Sequence, residues 1–213
     1  MSNPMKQADA VVADGTNGPD GEEYARRFRI GDAQAFDGVV RTFQLRIFNL
    51  AYRILNNHED AEEVTQEIFV KAHKSIGEFQ GRCKFGTWLH AVAVNVCRNR
   101  LRQTKRRTVF EMCSFDGAED PGQLPVEPAT SREEAPAAQL ERAELMKLVQ
   151  KCISELPVDF SAVLVMRDVQ GMSYEEVAEA LGCSLGTVKS RLARGRQAVK
   201  EKLGPHLRQW NMP

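Results

Sequence analysis

The chain has 213 residues, enough for one large domain or two small ones, and balances 29 lysines and arginines against 29 aspartates and glutamates. Zero net charge argues against a general polyanion binder, and no apolar run approaches the roughly 18 residues of a membrane span. No secretory signal opens the sequence, and the cysteines (Cys83, Cys97, Cys113, Cys152, Cys183) are odd in number and scattered, so reduced thiols in a soluble cytoplasmic protein are expected.

Residues 1–21 are small, polar and glycine-bearing, and are expected to form a disordered leader. From Glu22 a short helical piece, EEYARRFRI, leads to Gly31 and to Asp32, which is positioned to cap the next helix. That helix is expected to run to Asn56. Its apolar positions Phe36, Val39, Val40, Phe43, Ile47, Leu50, Ala51, Ile54 and Leu55 keep helical period throughout and make it the main beam of a bundle.

A second helix begins near Glu59. Ala61, Val64, Ile68 and Ala72 face inward, leaving Asp60, Glu63, Gln66 and Glu67 on an acidic outer face that on pattern alone could equally be a solvated surface. His58 and His73 are isolated, as turn or surface histidines are. The segment GEFQGRCKFG, residues 77–86, breaks the helix with three glycines and sets Phe79 and Phe85 beside Arg82 and Lys84. Aromatics and cations in one loop suit stacking on exposed bases while holding their phosphates, and a plain loop with both rings in the core has equal weight.

In the third helix Phe85, Leu89, Val92 and Val96 point to the core. Trp88, Ala91, Asn95, Arg98, Arg102 and Lys105 form a separate stripe with the character of a nucleic-acid track. No acid occurs between Phe79 and Arg107, whereas residues 111–144 carry nine acids against Arg132 and Arg142. From 108 to 138 helical period is lost among proline, glycine and acids, as a linker requires. Helices resume from about Gln139 to Leu156 and from Phe160 to Val169.

The segment Gly171–Leu203 is the most informative. Ser173 and Glu176 make a capping box, and the apolar stripe of a short helix stops at Gly182. Ser184 caps a second helix with Leu185, Val188, Leu192, Gly195, Val199 and Leu203 on its packed face. Thr187, Ser190, Arg194 and Gln197 fall opposite, flanked by Lys189, Arg196 and Lys200 on one side and Arg191 on the other. This is a helix-turn-helix whose outer face can read base edges with its centre and hold phosphates with its margins. A solvated helical hairpin is the plainer alternative. The tail from Gly204 onward carries no pattern. No paired catalytic groups, glycine-rich phosphate loop or metal-ligand cluster appears, so no catalytic residue, metal or cofactor is expected.

Taken in series, DAEEVTQEIFVKAHKSI (60–76) and FQGRCKFGTWLHAVAVNVCRNRLR (79–102) resemble region two of the extracytoplasmic-function group of bacterial RNA polymerase sigma factors, and SYEEVAEALGCSLGTVKSRLARGRQAVKEKL (173–203) resembles their region four. The resemblance implies an all-α protein with two small helical bundles joined by a flexible linker. The expected divisions are a leader at 1–21, region two at 22–107, an acidic linker at 108–138, region four at 139–203 and a tail at 204–213.

It further implies that Asp60, Glu63, Gln66 and Glu67 dock on the clamp helices of the largest subunit of core RNA polymerase, with region four on the flap of the second-largest. Phe79, Arg82, Lys84, Trp88, Asn95, Arg98 and Arg102 would engage the minus-ten element as single-stranded DNA, and Thr187, Lys189, Ser190, Arg191 and Arg194 the minus-thirty-five element as duplex. The acidic linker would thread the polymerase channel. Family members are commonly held inactive by an anti-sigma factor, often at the membrane. The competing expectation is a self-standing helix-turn-helix regulator that does not bind core polymerase.

Overall fold

The computed structural model describes residues 19–32, 34–112 and 136–210, and the elements it describes are helices and turns. Four helices precede the gap and four follow it. They are α1 (Pro19–Arg29), α2 (Ala35–Leu55), α3 (His58–Ser75), α4 (Phe85–Met112), α5 (Pro136–Ser154), α6 (Val158–Leu164), α7 (Tyr174–Leu181) and α8 (Leu185–Trp210).

The beam α2 forms as its periodicity requires, with Val39, Phe43, Ile47, Leu50, Ala51 and Ile54 buried. It ends where Asn56 takes a left-handed conformation, φ 55°, and returns its N–H to the Tyr52 carbonyl. Gln34 holds the N-cap position without a side-chain bond of its own, and the Asp32 carboxylate accepts from Arg27 at 2.6 and 3.0 Å and also meets the backbone N–H groups of Ala35 and Gln34, all of which hold it below its ordinary pKa. Asn57 caps α3, its side chain accepting from the Asp60 N–H at 2.9 Å.

Helix α1 packs on α2 through a close approach that sequence pattern does not reveal. A Cβ at Gly38 would lie 2.5 Å from the ring of Tyr24. Gly38→Ala is therefore expected to displace Tyr24 and cost about 1–3 kcal/mol, read as a lowered thermal midpoint by circular dichroism.

Several boundaries differ from expectation. Helix α1 starts at Pro19, three residues inside the expected leader, because proline suits the first helical turn; Pro136 does the same for α5. Helix α4 continues to Met112, past the expected end at Arg107, since nothing in Thr108–Met112 breaks a helix. Helix α8 runs through Gly204 and Pro205 to Trp210, so much of the expected tail is helical. Leu185, expected on the packed face of α8, is 41 % exposed because it stands at the first turn, beyond the reach of the partner helices. The remainder of the leader and most of the acidic linker lie outside the described residues.

The two halves are packed together. Helix α4 lies against α7 and α6, and α2 against α5 and α6, so buried side chains of both halves join one core. That places α4 between two sets of helices. Besides Phe85, Leu89 and Val96, it buries His90, Ala93, Val94 and Cys97, while Val92 is only half-buried.

Candidate nucleic-acid interface

The helix-turn-helix forms as the local chemistry dictates. The Ser173 side chain accepts from the Glu176 N–H at 3.1 Å, and Glu176 returns an oxygen to the Ser173 N–H at 2.8 Å. Gly182 adopts φ 59° to stop α7, and the Ser184 hydroxyl accepts from the Thr187 N–H at 3.1 Å to start α8. Val188, Leu192, Gly195 and Val199 are buried against the neighbouring helices. Lys189, Ser190 and Arg194 consequently stand exposed, with Thr187 and Arg191 half-buried. Ser190 spends its hydroxyl hydrogen on the Thr187 carbonyl at 3.0 Å and keeps lone pairs for a base. Lys189 sits 5.9 Å over the Tyr174 ring. Arg196, read as a basic flank, is clasped by Asp168 at 2.8 and 2.5 Å, and that carboxylate raises its already high pKa.

In the other half, Phe79, Phe85 and Trp88 form an aromatic cluster with centroids 5.3–5.6 Å apart. Phe85 is fully buried, whereas Phe79 and Trp88 are half-buried and can present ring surface. Arg82 and Arg102 are exposed. Asn95 is exposed too, and its Oδ1 accepts from Arg98 at 3.1 Å. Beside it a groove of about 390 Å³ runs between α3 and α4, lined by Lys71, Lys74, Ser75, Asn95 and Asn99 among others.

On α3, Asp60 and Glu63 both accept from Arg100 of α4, at 3.1 and 3.0 Å, which holds the Glu63 carboxyl below its ordinary pKa. Glu67 pairs with Lys71 at 2.6 Å, and Gln66 is exposed. The acidic face is thus presented as a row braced by cations.

The contacts that periodicity misses run between the halves. Lys84 donates to Glu176 at 2.8 Å, with the oxygen that the capping box leaves over. Burial opposes the Glu176 charge, but Lys84, the Ser173 N–H and Arg46 outweigh it and hold the carboxyl below its ordinary pKa. Arg98 donates to Asp159 at 2.8 Å and Arg191 to the other oxygen of the same carboxylate at 3.5 Å. A π turn at Val165–Val169 closes α6 and delivers Gln170 to the seam. The Gln170 amide gives its N–H to the Arg46 carbonyl at 2.8 Å and sets its oxygen 2.7 Å from His90 Nε2, while His90 Nδ1 lies 2.6 Å from the Gly86 carbonyl.

Burial is the main cause that lowers the His90 pKa from its usual 6.5, ahead of the opposing bonds to Gly86 and Gln170; the Arg46 charge lowers it and the Glu176 charge raises it. The ring therefore takes up a proton on unfolding, so its contribution to stability is present above about pH 6.5 and is lost as pH falls toward the folded value. The urea midpoint is expected to drop between about pH 7.5 and 5.5, by up to about 1.4 kcal/mol per pH unit in stability, and His90→Gln should flatten that dependence.

Burial raises the pKa of Cys83, Cys97 and Cys152, which disfavours their thiolates. Burial pushes Cys97 up to about 12. Cys83, beside the loop, is raised by burial and by the Glu179 and Glu22 carboxylates, opposite to what a reactive thiolate needs. Among the described residues no group of His, Cys, Asp and Glu could hold a metal ion, and no helix is long and apolar enough to cross a membrane.

A helical bundle with an aromatic and cationic outer track, followed by a helix-turn-helix, is the architecture of a promoter-recognition protein. The sigma-70 region 2 family matches residues 39–107 and sigma-70, region 4 matches residues 146–199. The chain is 34 % identical over 188 residues to the RNA polymerase sigma-H factor of Pseudomonas aeruginosa, covering 88 % of this chain and 96 % of the relative. It is 34 % identical over 184 residues to the ECF RNA polymerase sigma-E factor of Haemophilus influenzae, covering 86 % and 95 %. The fold is shared with the sigma factor RpoE solved in complex with the anti-sigma factor NepR from Bartonella quintana, at TM-score 0.63 and 21 % identity over 79 % of this chain and 96 % of that one. It is shared equally with CnrH, solved in complex with the cytosolic domain of CnrY, at TM-score 0.62 and 21 % identity over 88 % and 99 %. The chain belongs to the extracytoplasmic-function group of sigma-70 factors, which direct RNA polymerase to promoters.

Proposed function

We propose that this sigma factor divides promoter recognition between its halves, residues 22–107 taking core polymerase and the minus-ten element and residues 139–203 the minus-thirty-five element. The observation that carries this reading is the pair of outward tracks. One, on the loop and α4, combines half-buried rings with cations; the other, on α8, combines hydroxyls with exposed arginine and lysine. Phe79 and Trp88 stack on an unpaired base, and Arg82, Lys84, Arg98 and Arg102 hold its backbone, offsetting the few kcal/mol that unstacking costs. Asn95 reads a base edge from the mouth of the α3–α4 groove. Thr187, Ser190 and Arg194 read duplex edges while Lys189 and Arg191 hold phosphates.

Asp60, Glu63, Gln66 and Glu67 dock on the clamp helices of the polymerase, and the C-terminal half on the flap. Each half binds weakly, and one polymerase carrying both supplies the effective concentration that makes the pair selective. The protein acts in the cytoplasm, does no covalent chemistry of its own, and is controlled by an anti-sigma factor. A self-standing regulator is not favoured, since both sigma regions match in series.

Pull-down with core polymerase, followed by run-off transcription from a promoter library, tests the reading. Core binding and defined start sites are expected. Binding to duplex DNA with no gain of promoter selection by core polymerase would count against it.

A further inference from the structure

Helix α1 lies along the glycine loop and is pinned in three places. Near its start, Glu22 accepts from the Gly86 N–H at 3.3 Å, which ties it to the first turn of α4. In its middle, the Tyr24 ring lies over Gly38 of α2. Near its end, Phe28 packs against Phe36 and His73 with ring centroids 4.9 and 4.8 Å away. A helix held in this way fixes where its last side chains begin.

The last turn of α1 carries Arg26, Arg27 and Arg29. Arg26 is matched by Glu23 at 2.8 Å and Arg27 by Asp32 at 2.6 Å. Arg29 is exposed and has no carboxylate partner among the described residues. Its guanidinium lies against the loop instead. Nη1 is 3.5 Å from the point where a Cβ on Gly81 would stand, and apart from the chain neighbours of Gly81 no other described atom comes within 4 Å of that point. Gly81 itself, at φ 68°, stands between Phe79 and Arg82 in the stretch assigned to the minus-ten strand. No side chain at position 81 therefore separates Arg29 from a strand that crosses the loop.

We propose that Arg29 is a further minus-ten contact, holding a phosphate of the unpaired strand from the α1 side of the loop. The proposal rests on the minus-ten reading above. A cation fixed before the strand arrives costs little to order, and a phosphate offers it a charge-assisted bond whatever base is attached. Arg29 thus strengthens capture of the open strand and leaves the choice of base to Asn95 and the rings.

The test uses the full chain bound to core polymerase and a fork-junction DNA whose minus-ten element is single-stranded. Arg29→Ala is expected to weaken binding about three- to tenfold at low salt, evenly across single-base changes, and to reduce the salt slope by about 0.7. Binding to a duplex that carries only the minus-thirty-five element should not change. Arg29→Lys keeps the charge and should recover most of the loss. Arg26→Ala removes a neighbouring charge already matched by Glu23, and as the control for charge loss alone it should leave the slope as it is.

Unchanged binding and slope in Arg29→Ala, or an equal loss in Arg26→Ala, would overturn the assignment. So would a loss at unchanged slope that Arg29→Lys does not recover, since that marks a prop for the loop and not a phosphate contact. A wild-type complex that shows no preference for the fork junction sinks the minus-ten reading itself, and that result is read before any variant is compared.

Discussion

Phe85→Ala is expected to cost about 3–5 kcal/mol of stability, the largest loss of any single change proposed for this chain. Phe85 opens α4 and is fully buried, with its ring 5.7 Å from Phe43, 5.6 Å from Phe79 and 5.3 Å from Trp88. Truncation leaves a cavity at the one place where the beam helix, the glycine loop and the start of α4 meet. The rings on which the minus-ten base is expected to stack lose their floor as well. The urea midpoint measures the first effect, and open-complex formation at a temperature where the variant is still folded measures the second. Phe79→Ala, half-buried, should show the reverse balance, with a small loss of stability and a large loss of melting activity.

Arg194→Ala should leave stability unchanged within about 0.5 kcal/mol, because its side chain is exposed and lies opposite the packed stripe of α8. If Arg194 reads a base, its loss costs about 1–3 kcal/mol at one position of the minus-thirty-five element and relaxes selectivity there. A phosphate contact would instead weaken all sequences evenly and reduce the salt slope by about one. Binding of the variant polymerase complex to a set of single-base promoter changes distinguishes these patterns. The intact Val188 and Leu192 packing means that either result reports on recognition and not on folding.

What could be read from the sequence was what local chemistry decides. The capping box at Ser173 and Glu176, the left-handed stop at Gly182 and the hydroxyl cap at Ser184 each need only three or four neighbouring residues, and each is present. The beam α2 and the inward face of α3 were legible because their burial follows one period on one face. Helix α4 was legible on one side only. His90 looks like an interruption of its pattern until α7 covers that side as well.

Asp159, Gln150 and Gln170 give no signal in a single chain, since their partners lie 32 to 124 residues away and a polar side chain facing another half looks the same as one facing water. Asp32 divides its carboxylate between the first backbone N–H groups of α2 and Arg27, a competitor five residues upstream that capping rules do not weigh.

Trp88 gives the glycine loop an optical voice. It is one of two tryptophans in the chain, and the other, Trp210, ends α8. With Trp210 replaced by phenylalanine, a single indole remains, half-buried against Phe79 and Phe85 and one turn from the lysine that Glu176 holds. Under the proposed minus-ten role, a base that stacks on Phe79 and Trp88 is expected to quench that indole, so the emission of one native residue can time, without a label, the arrival of the base during initiation.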